Sequence, residues 1–194
     1  MVNYPNKKKN NHYTSMIEGK HNTAHRGMNL EEDINLTNEY YLSHDIAVIH
    51  KKPTPIQIVK VSYPERSSAK IVEAYFRTPS TTDYNGIYKG KYIDFEAKVT
   101  QNKTSFPLQN IHEHQISHMQ KIMKHGGITF FIILMNNIVY LLKGEDFIFF
   151  VKNNQRKSIP YQYLLDNAYE IKYGINPELD YLKIVDKIYF RGDK

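Results

Sequence analysis

The chain has 194 residues, enough for one domain with a substantial core. Its 41% hydrophobic and 24% charged content is that of a soluble globular protein, and a formal net charge of +6 favours polyanionic partners without separating a nucleic-acid binder from a basic enzyme. Cysteine is absent, which excludes disulfides and thiolate metal sites, and the apolar stretch from Ile128 to Leu142 is broken by Asn136-Asn137, short of the roughly 18 residues of a spanning helix.

The start, Met1-Val2-Asn3-Tyr4-Pro5, lacks the apolar run of a signal peptide, so a soluble, cytoplasmic protein is expected. Residues 1–27 are polar, rich in Asn, Lys and His, and carry the run Lys7-Lys8-Lys9. Two readings are open for them: a disordered tail, or a basic arm that orders against a nucleic-acid backbone. A helix is predicted from Asn29, where Asn29 and Glu32 have the capping-box spacing and Leu30, Ile34 and Tyr41 follow one stripe. Ile46 to Ile49 reads as a buried strand.

Ile56 to Val61 and Lys70 to Phe76 are both strand-prone and flank Tyr63-Pro64-Glu65-Arg66-Ser67-Ser68. They are either an excursion from the domain or an ordinary hairpin of the main sheet. Tyr84-Asn85-Gly86 and Lys89-Gly90 supply turn residues before the strand that enters at Tyr92. A second helix is predicted from Asn110 to His125, opened by an Asn110/Glu113 box and stopped by Gly126-Gly127. Ile128 to Leu134 reads as a strand covered on both faces, Asn136-Asn137 as a turn, and Ile138 to Leu142 as the returning strand. Glu145 to Val151, Pro160 to Asn167 and Leu179 to Ile188 are predicted helical.

The chemistry concentrates on Tyr92-Ile93-Asp94-Phe95-Glu96-Ala97-Lys98. Side chains alternate faces along a strand, so Ile93, Phe95 and Ala97 enter a core while Asp94, Glu96 and Lys98 share the other face. That face is either a salt-bridged surface or the seat of a divalent cation. Asp83, on the preceding segment, supplies a second carboxylate that can meet Glu96 at the sheet edge. Lys98 lies about 7 Å further along the strand, suited to a transition-state phosphate. Gln115 interrupts the apolar stripe of the second helix, as an amide satisfied by backbone or as an oxygen donor at the metal. His114 and His118 are one turn apart, but the Glu of a zinc-binding H-E-x-x-H motif is missing, so a solvated helix face is expected, with phosphate contacts from His112 or His114 left open. Tyr13, Tyr63 and Tyr75 are either core-edge residues or platforms for unpaired bases.

Several blocks together resemble a known family. Arg26-Gly27-Met28, Lys51-Lys52-Pro53-Thr54-Pro55-Ile56-Gln57, Pro79-Ser80-Thr81-Thr82-Asp83-Tyr84-Asn85-Gly86, Asp94-Phe95-Glu96-Ala97-Lys98 and Thr104-Ser105-Phe106-Pro107-Leu108 look like the RecU Holliday junction resolvases. The resemblance implies an α/β restriction-endonuclease-like fold of the PD-(D/E)xK nucleases: a central mixed sheet flanked by helices, with a protruding stalk. It divides the chain into a basic arm (1–27) and a nuclease domain (28–194) with the stalk inserted at about 54–77.

The resemblance further implies Thr81, Asp83, Glu96 and Gln115 as ligands of Mg²⁺, with Mn²⁺ as a substitute, and Lys98 as transition-state stabiliser. Asp94 is a further active-site residue of unsettled role, and Thr82 stands where the superfamily wording has proline. Arg26, Arg66, Lys70 and Arg77 are the DNA-contact candidates. The expected activity is paired symmetric nicking of four-way junctions by a homodimer, associated with the nucleoid when on DNA, with the RecA recombinase and the RuvAB branch-migration complex as partners. Two alternatives stand beside it: a nuclease of the same superfamily that cuts linear duplex, and a non-catalytic DNA-binding regulator of recombination.

Overall fold

A computed structural model of the chain describes residues 29–64, 68–77 and 81–190. The expected arm with Arg26 and Tyr13, and Arg66, lie outside the described residues. In chain order the elements are α1 (Leu30–Ser43), β1 (Val48–Lys51), β2 (Ile56–Ser62), β3 (Lys70–Phe76), β4 (Tyr84–Tyr88), β5 (Lys91–Val99) and β6 (Ser105–Pro107). A 3₁₀ turn (Leu108–Asn110) leads to α2 (Glu113–Lys124), β7 (Ile128–Met135), β8 (Ile138–Lys143) and α3 (Gly144–Asn153). The chain ends with β9 (Ser158–Pro160), α4 (Tyr161–Asn167), β10 (Tyr169–Ile171) and α5 (Tyr181–Tyr189).

Six strands form a central sheet in the order β1-β4-β5-β7-β8-β10. The β5/β7 pair is parallel and its neighbours are antiparallel, so the sheet is mixed. The parallel pair requires a crossover, and α2 provides it. β7 is buried at every position because its side chains divide between two cores. Phe130, Ile132 and Leu134 join Ile34, Tyr41, Phe95, Tyr181 and Val185 on the α1/α5 face. Phe131, Ile133 and Met135 join Met119, Phe147, Ile159 and Leu164 on the α2/α3/α4 face. β5 splits differently. Ile93 and Phe95 enter the first core, while Asp94, Glu96 and Lys98 face the second layer.

Two-residue turns set the hairpin registers. Lys89 and Gly90 (φ 46° and 72°) join β4 to β5, and Asn136 and Asn137 (φ 54° and 62°) join β7 to β8, the left-handed pair that matches strand twist. Tyr84-Asn85-Gly86 is not a turn but part of β4, correcting the sequence reading. Gly86 pairs with Ile49, and a Cβ there would sit 2.0 Å from the Val48 carbonyl oxygen. Glycine marks the close approach of β1, the second physical use of this residue in a strand.

The second helix also starts later than its sequence suggests. Residues 108–110 form the 3₁₀ turn and α2 begins at Glu113 with His112 as N-cap. Pairing of β6 with β9 fixes the chain path ahead of the helix, and that long-range contact overrides the Asn110/Glu113 spacing. At α1 the expected cap holds: Asn29 Oδ1 accepts the Glu32 N–H at 3.3 Å, and its amide nitrogen donates to the Glu32 carboxylate at 3.1 Å. Among the described residues β2 and β3 pair only with each other, so the hairpin stands apart from the main sheet.

Phe95 is the keystone of the first core. It is fully buried and stacked between Tyr84 and Phe130 at centroid distances of 4.8 and 4.7 Å. Phe95→Ala is expected to destabilise the fold by about 3–5 kcal/mol, the range for removing a buried aromatic, read from the urea midpoint at unchanged slope.

Candidate active site

The polar face of β5 is covered by the start of α2. Glu96 is fully buried, and three groups meet it there. The Asp83 backbone N–H donates to Glu96 Oε2 at 3.0 Å. The Gln115 amide donates to Oε1 at 2.7 Å, and the Lys98 ammonium lies 2.5 Å from the same oxygen. Burial pushes the Glu96 carboxyl up to about 7, and the neighbouring Asp83 carboxylate adds to the rise against the pull of Lys98 and Gln115. The structure thus brings the Asp83 backbone and the Lys98 and Gln115 side chains to Glu96. Asp83 also lines a pocket of about 270 Å³ with Asn29, Leu30, Glu31, Ala97 and Val99, on the α1 side of β5 rather than on the Glu96 face.

A divalent cation fits this donor set. Asp83 and Glu96 offer hard oxygen donors, a single ammonium lies against Glu96, and Mg²⁺ fills the rest of its shell with the waters it retains. Among the described residues no group of three or more His, Asp or Glu side chains gathers around one point. A cation here would be held by Asp83 and Glu96 with neutral donors and water. Gln115 uses its oxygen to accept the His112 N–H at 3.0 Å, closing the first turn of α2, and offers its nitrogen to Glu96. Turning the amide over would present the oxygen instead and give up that cap. The Thr81 hydroxyl donates to the Thr82 carbonyl at 3.4 Å, two residues before Asp83.

Asp94 acquires a set of partners that sequence reasoning missed. It is fully buried. The Thr82 hydroxyl makes a short hydrogen bond to Oδ1. Lys52 Nζ donates to Oδ2 at 2.7 Å and to the Thr82 oxygen at 2.9 Å. The Tyr92 hydroxyl and His118 Nε2 lie 3.3 and 3.4 Å from Oδ2. The Lys52 backbone N–H donates to the Asp83 carbonyl at 2.7 Å. Lys52 and Asp94 thus clamp residues 82–83 from both sides and set the entry of Asp83 into the site. Lys52 stands 42 residues from Asp94 in sequence, so no local spacing could have linked them.

The remaining candidates lie away from this cluster. Lys70 is exposed at the start of β3, opposite Ser62. The Arg77 guanidinium donates to Gln57 Oε1 at 3.1 and 2.8 Å, and the Arg77 backbone N–H donates to the Pro55 carbonyl at 2.9 Å, closing the base of the hairpin. Tyr63 and Tyr75 are exposed on the same hairpin. The His112 and His114 rings stack 5.2 Å apart at the start of α2.

A family model described as Recombination protein U matches residues 25–187. The chain belongs to the RecU family. The Holliday junction resolvase RecU of Geobacillus sp. (strain WCH70) is 58% identical over 174 residues, 87% of each chain. That of Bacillus licheniformis is 53% identical over 195 residues, 98% of each chain. A solved structure of Archaeoglobus fulgidus Hjc, a Holliday junction resolvase from an archaeal hyperthermophile, aligns with a TM-score of 0.44 and 9% identity, covering 75% of this chain and 96% of that one. The RecU match spans every element of the site, from Lys52 through β4 and β5 to α2.

In this RecU family member the Lys52–Asp94 pair yields a direct test. Removing one partner of a buried pair costs about 3–5 kcal/mol because the other charge is stranded, and Lys52 keeps 19% exposure, which favours the lower end. Lys52→Met is expected to destabilise by about 3 kcal/mol. Adding Asp94→Asn should recover at least about 1 kcal/mol of that loss as coupling, measured by denaturant unfolding of the four chains of the cycle.

Proposed function

We propose that the chain is a divalent-metal-dependent endonuclease that resolves four-way DNA junctions by paired, symmetric nicks as a homodimer. The observation that supports it most is the meeting of the Asp83 backbone, Lys98 and Gln115 at the buried Glu96, in a chain 58% and 53% identical to proteins named Holliday junction resolvase RecU. Asp83 and Glu96 would hold Mg²⁺ or Mn²⁺, with Thr81 and Gln115 as the neutral donors. When bound, such an ion neutralises charge on the phosphate oxygens and lowers the pKa of water. Lys98 stabilises the charge that develops on the phosphate. The clamp of Lys52, Thr82 and Asp94 holds the Asp83 backbone, so both carboxylates keep one geometry while DNA enters.

The hairpin supports the junction over a linear duplex. An isolated two-stranded hairpin is marginal in water, and this one exposes Ile58, Val59, Ile71, Val72, Tyr75 and Phe76 to half or more of their area. A second copy of the chain or the unstacked centre of a junction would cover those groups, and a symmetric dimer presents two equivalent sites to two strands of like polarity. Lys70, Arg66 and Arg77 would then contact the junction from the hairpin, and Arg26 from the arm. Association with RecA and RuvAB enters through the family resemblance alone. Among the described residues no helix is long and apolar enough to cross a membrane; the cytoplasmic location, with the nucleoid joined on DNA, is part of the same reading and rests on the family resemblance.

Asp83→Asn is expected to bind a labelled four-way junction within about threefold of wild type and to lower its cleavage by at least about 10³-fold, on the scale of losing a group that stabilises the transition state. Cleavage by wild type should vanish with chelator and return with Mg²⁺ or Mn²⁺. Normal cleavage by Asp83→Asn at saturating Mg²⁺, or equal cutting of a linear duplex of the same sequence, would contradict the reading.

A further inference from the structure

Charge on this molecule is divided between the two layers that cover the sheet. The layer carrying α1 is acidic: residues 29–50 contain Glu31, Glu32, Asp33, Glu39 and Asp45 and neither Lys nor Arg. The layer facing Glu96 and Lys98 is the reverse. From Val99 to Asn167 seven Lys or Arg residues stand against four carboxylates, Glu113, Glu145, Asp146 and Asp166, and none of the four lies between Phe147 and Leu165.

Within that basic layer one surface is built rigidly. Beyond Lys98 the chain is fixed by Asn102, whose Oδ1 accepts the Thr104 N–H and hydroxyl, both at 3.1 Å. Asn136 donates to the Lys103 carbonyl at 3.0 Å. β6 then pairs with β9, the Leu108 N–H donates to the Lys157 carbonyl at 3.0 Å, and the fully buried Phe106 and Ile159 anchor both strands. On the outside lie Lys103, Arg156 and Lys157, all exposed, with no carboxylate partner among the described residues. A shallow groove of about 450 Å³ runs between the two segments, lined by Asn102, Ser105, Gln109, Lys157 and Ser158. Cations and neutral hydrogen-bonding groups on a fixed backbone make a surface for phosphates. Such a surface carries no sequence information, because backbone contacts set register and orientation rather than read bases.

We infer that this β6–β9 platform, through Lys103, Arg156 and Lys157, binds the phosphate backbone of the duplex arm that leads away from the cleaved strand. The inference rests on the reading of the chain as a junction nuclease and adds a contact surface outside the reacting groups. Its reach is bounded by the chain itself. Lys98 and Asn102 are separated by four residues, at most about 14 Å, or about four nucleotides of one strand at 3.4 Å each. The platform therefore engages phosphates on the arm next to the cut and leaves the scissile phosphate to Asp83, Glu96 and Lys98.

The test replaces three exposed cations. Lys103→Gln/Arg156→Gln/Lys157→Gln and wild type are titrated onto a labelled four-way junction from low to high KCl, and cleavage is followed at saturating junction. Each lost phosphate contact lowers the slope of log affinity against log salt by about 0.9. The triple variant is expected to lose about 2 to 3 from that slope, to need more junction for half-maximal cleavage, and to keep kcat within twofold of wild type. Lys183→Gln/Lys187→Gln, on α5 in the opposite layer, should leave the slope unchanged. An unaltered slope in the triple variant, or an equal fall in the α5 variant, overturns the platform while leaving junction cleavage standing. A wild-type chain that neither binds nor cuts the junction overturns both.

Discussion

Everything in the site depends on holding the Glu96 carboxylate out of water. A buried charge is costly unless it is paired and hydrogen-bonded, and Glu96 is answered from three directions: by the backbone ahead of β4, by the side chain of Lys98 on its own strand and by Gln115 on α2. Each of those groups is placed by a separate part of the fold. The parallel β5/β7 pair needs the α2 crossover, and α2 brings Gln115. The β4/β5 hairpin, fixed by the Lys89-Gly90 turn, brings Asp83. Answered only by one ammonium, an amide and a backbone N–H, beside a second carboxylate, Glu96 remains short of positive charge, which is the electrostatic condition for binding a divalent cation.

The neighbouring Asp94 shows the same economy used for a different purpose. Its oxygens are taken by Thr82, Lys52, Tyr92 and His118, so its charge is spent on tying β5 to the segment that carries Asp83. Two carboxylates on one strand face, two residues apart, thus separate into an anchor and a candidate ligand. What distinguishes them is the supply of partners rather than burial, since both are fully buried.

Much of this was legible in the sequence because it is periodic. The alternation in β5, the doubly covered run of β7, the Asn29 cap and the Asn136-Asn137 turn all depend on neighbours a few residues away. The failures have a common cause in contacts between distant segments. Gly86 reads as a turn residue until β1 is laid against it, and Asn110 reads as a helix cap until β6 pairs with β9. β6, β9 and β10 are three residues each, too short to show a period. Lys52 went unrecognised for the same reason, its partners being Thr82 and Asp94. Family resemblance supplied the four-way junction and the dimer, which have no local signature here, and chose the metal over a salt-bridged face that the strand alternation alone left open.

The central claim is that Asp83 and Glu96 together hold a divalent cation, and binding of Mn²⁺ measured without DNA, by electron paramagnetic resonance of the free ion, tests it without relying on turnover. The account predicts saturable binding to the wild-type chain, lost in Glu96→Gln and Asp83→Asn and retained in Lys103→Gln, with the ion competed away by Mg²⁺. Undiminished binding in the Glu96→Gln and Asp83→Asn chains would place the cation elsewhere and contradict the account.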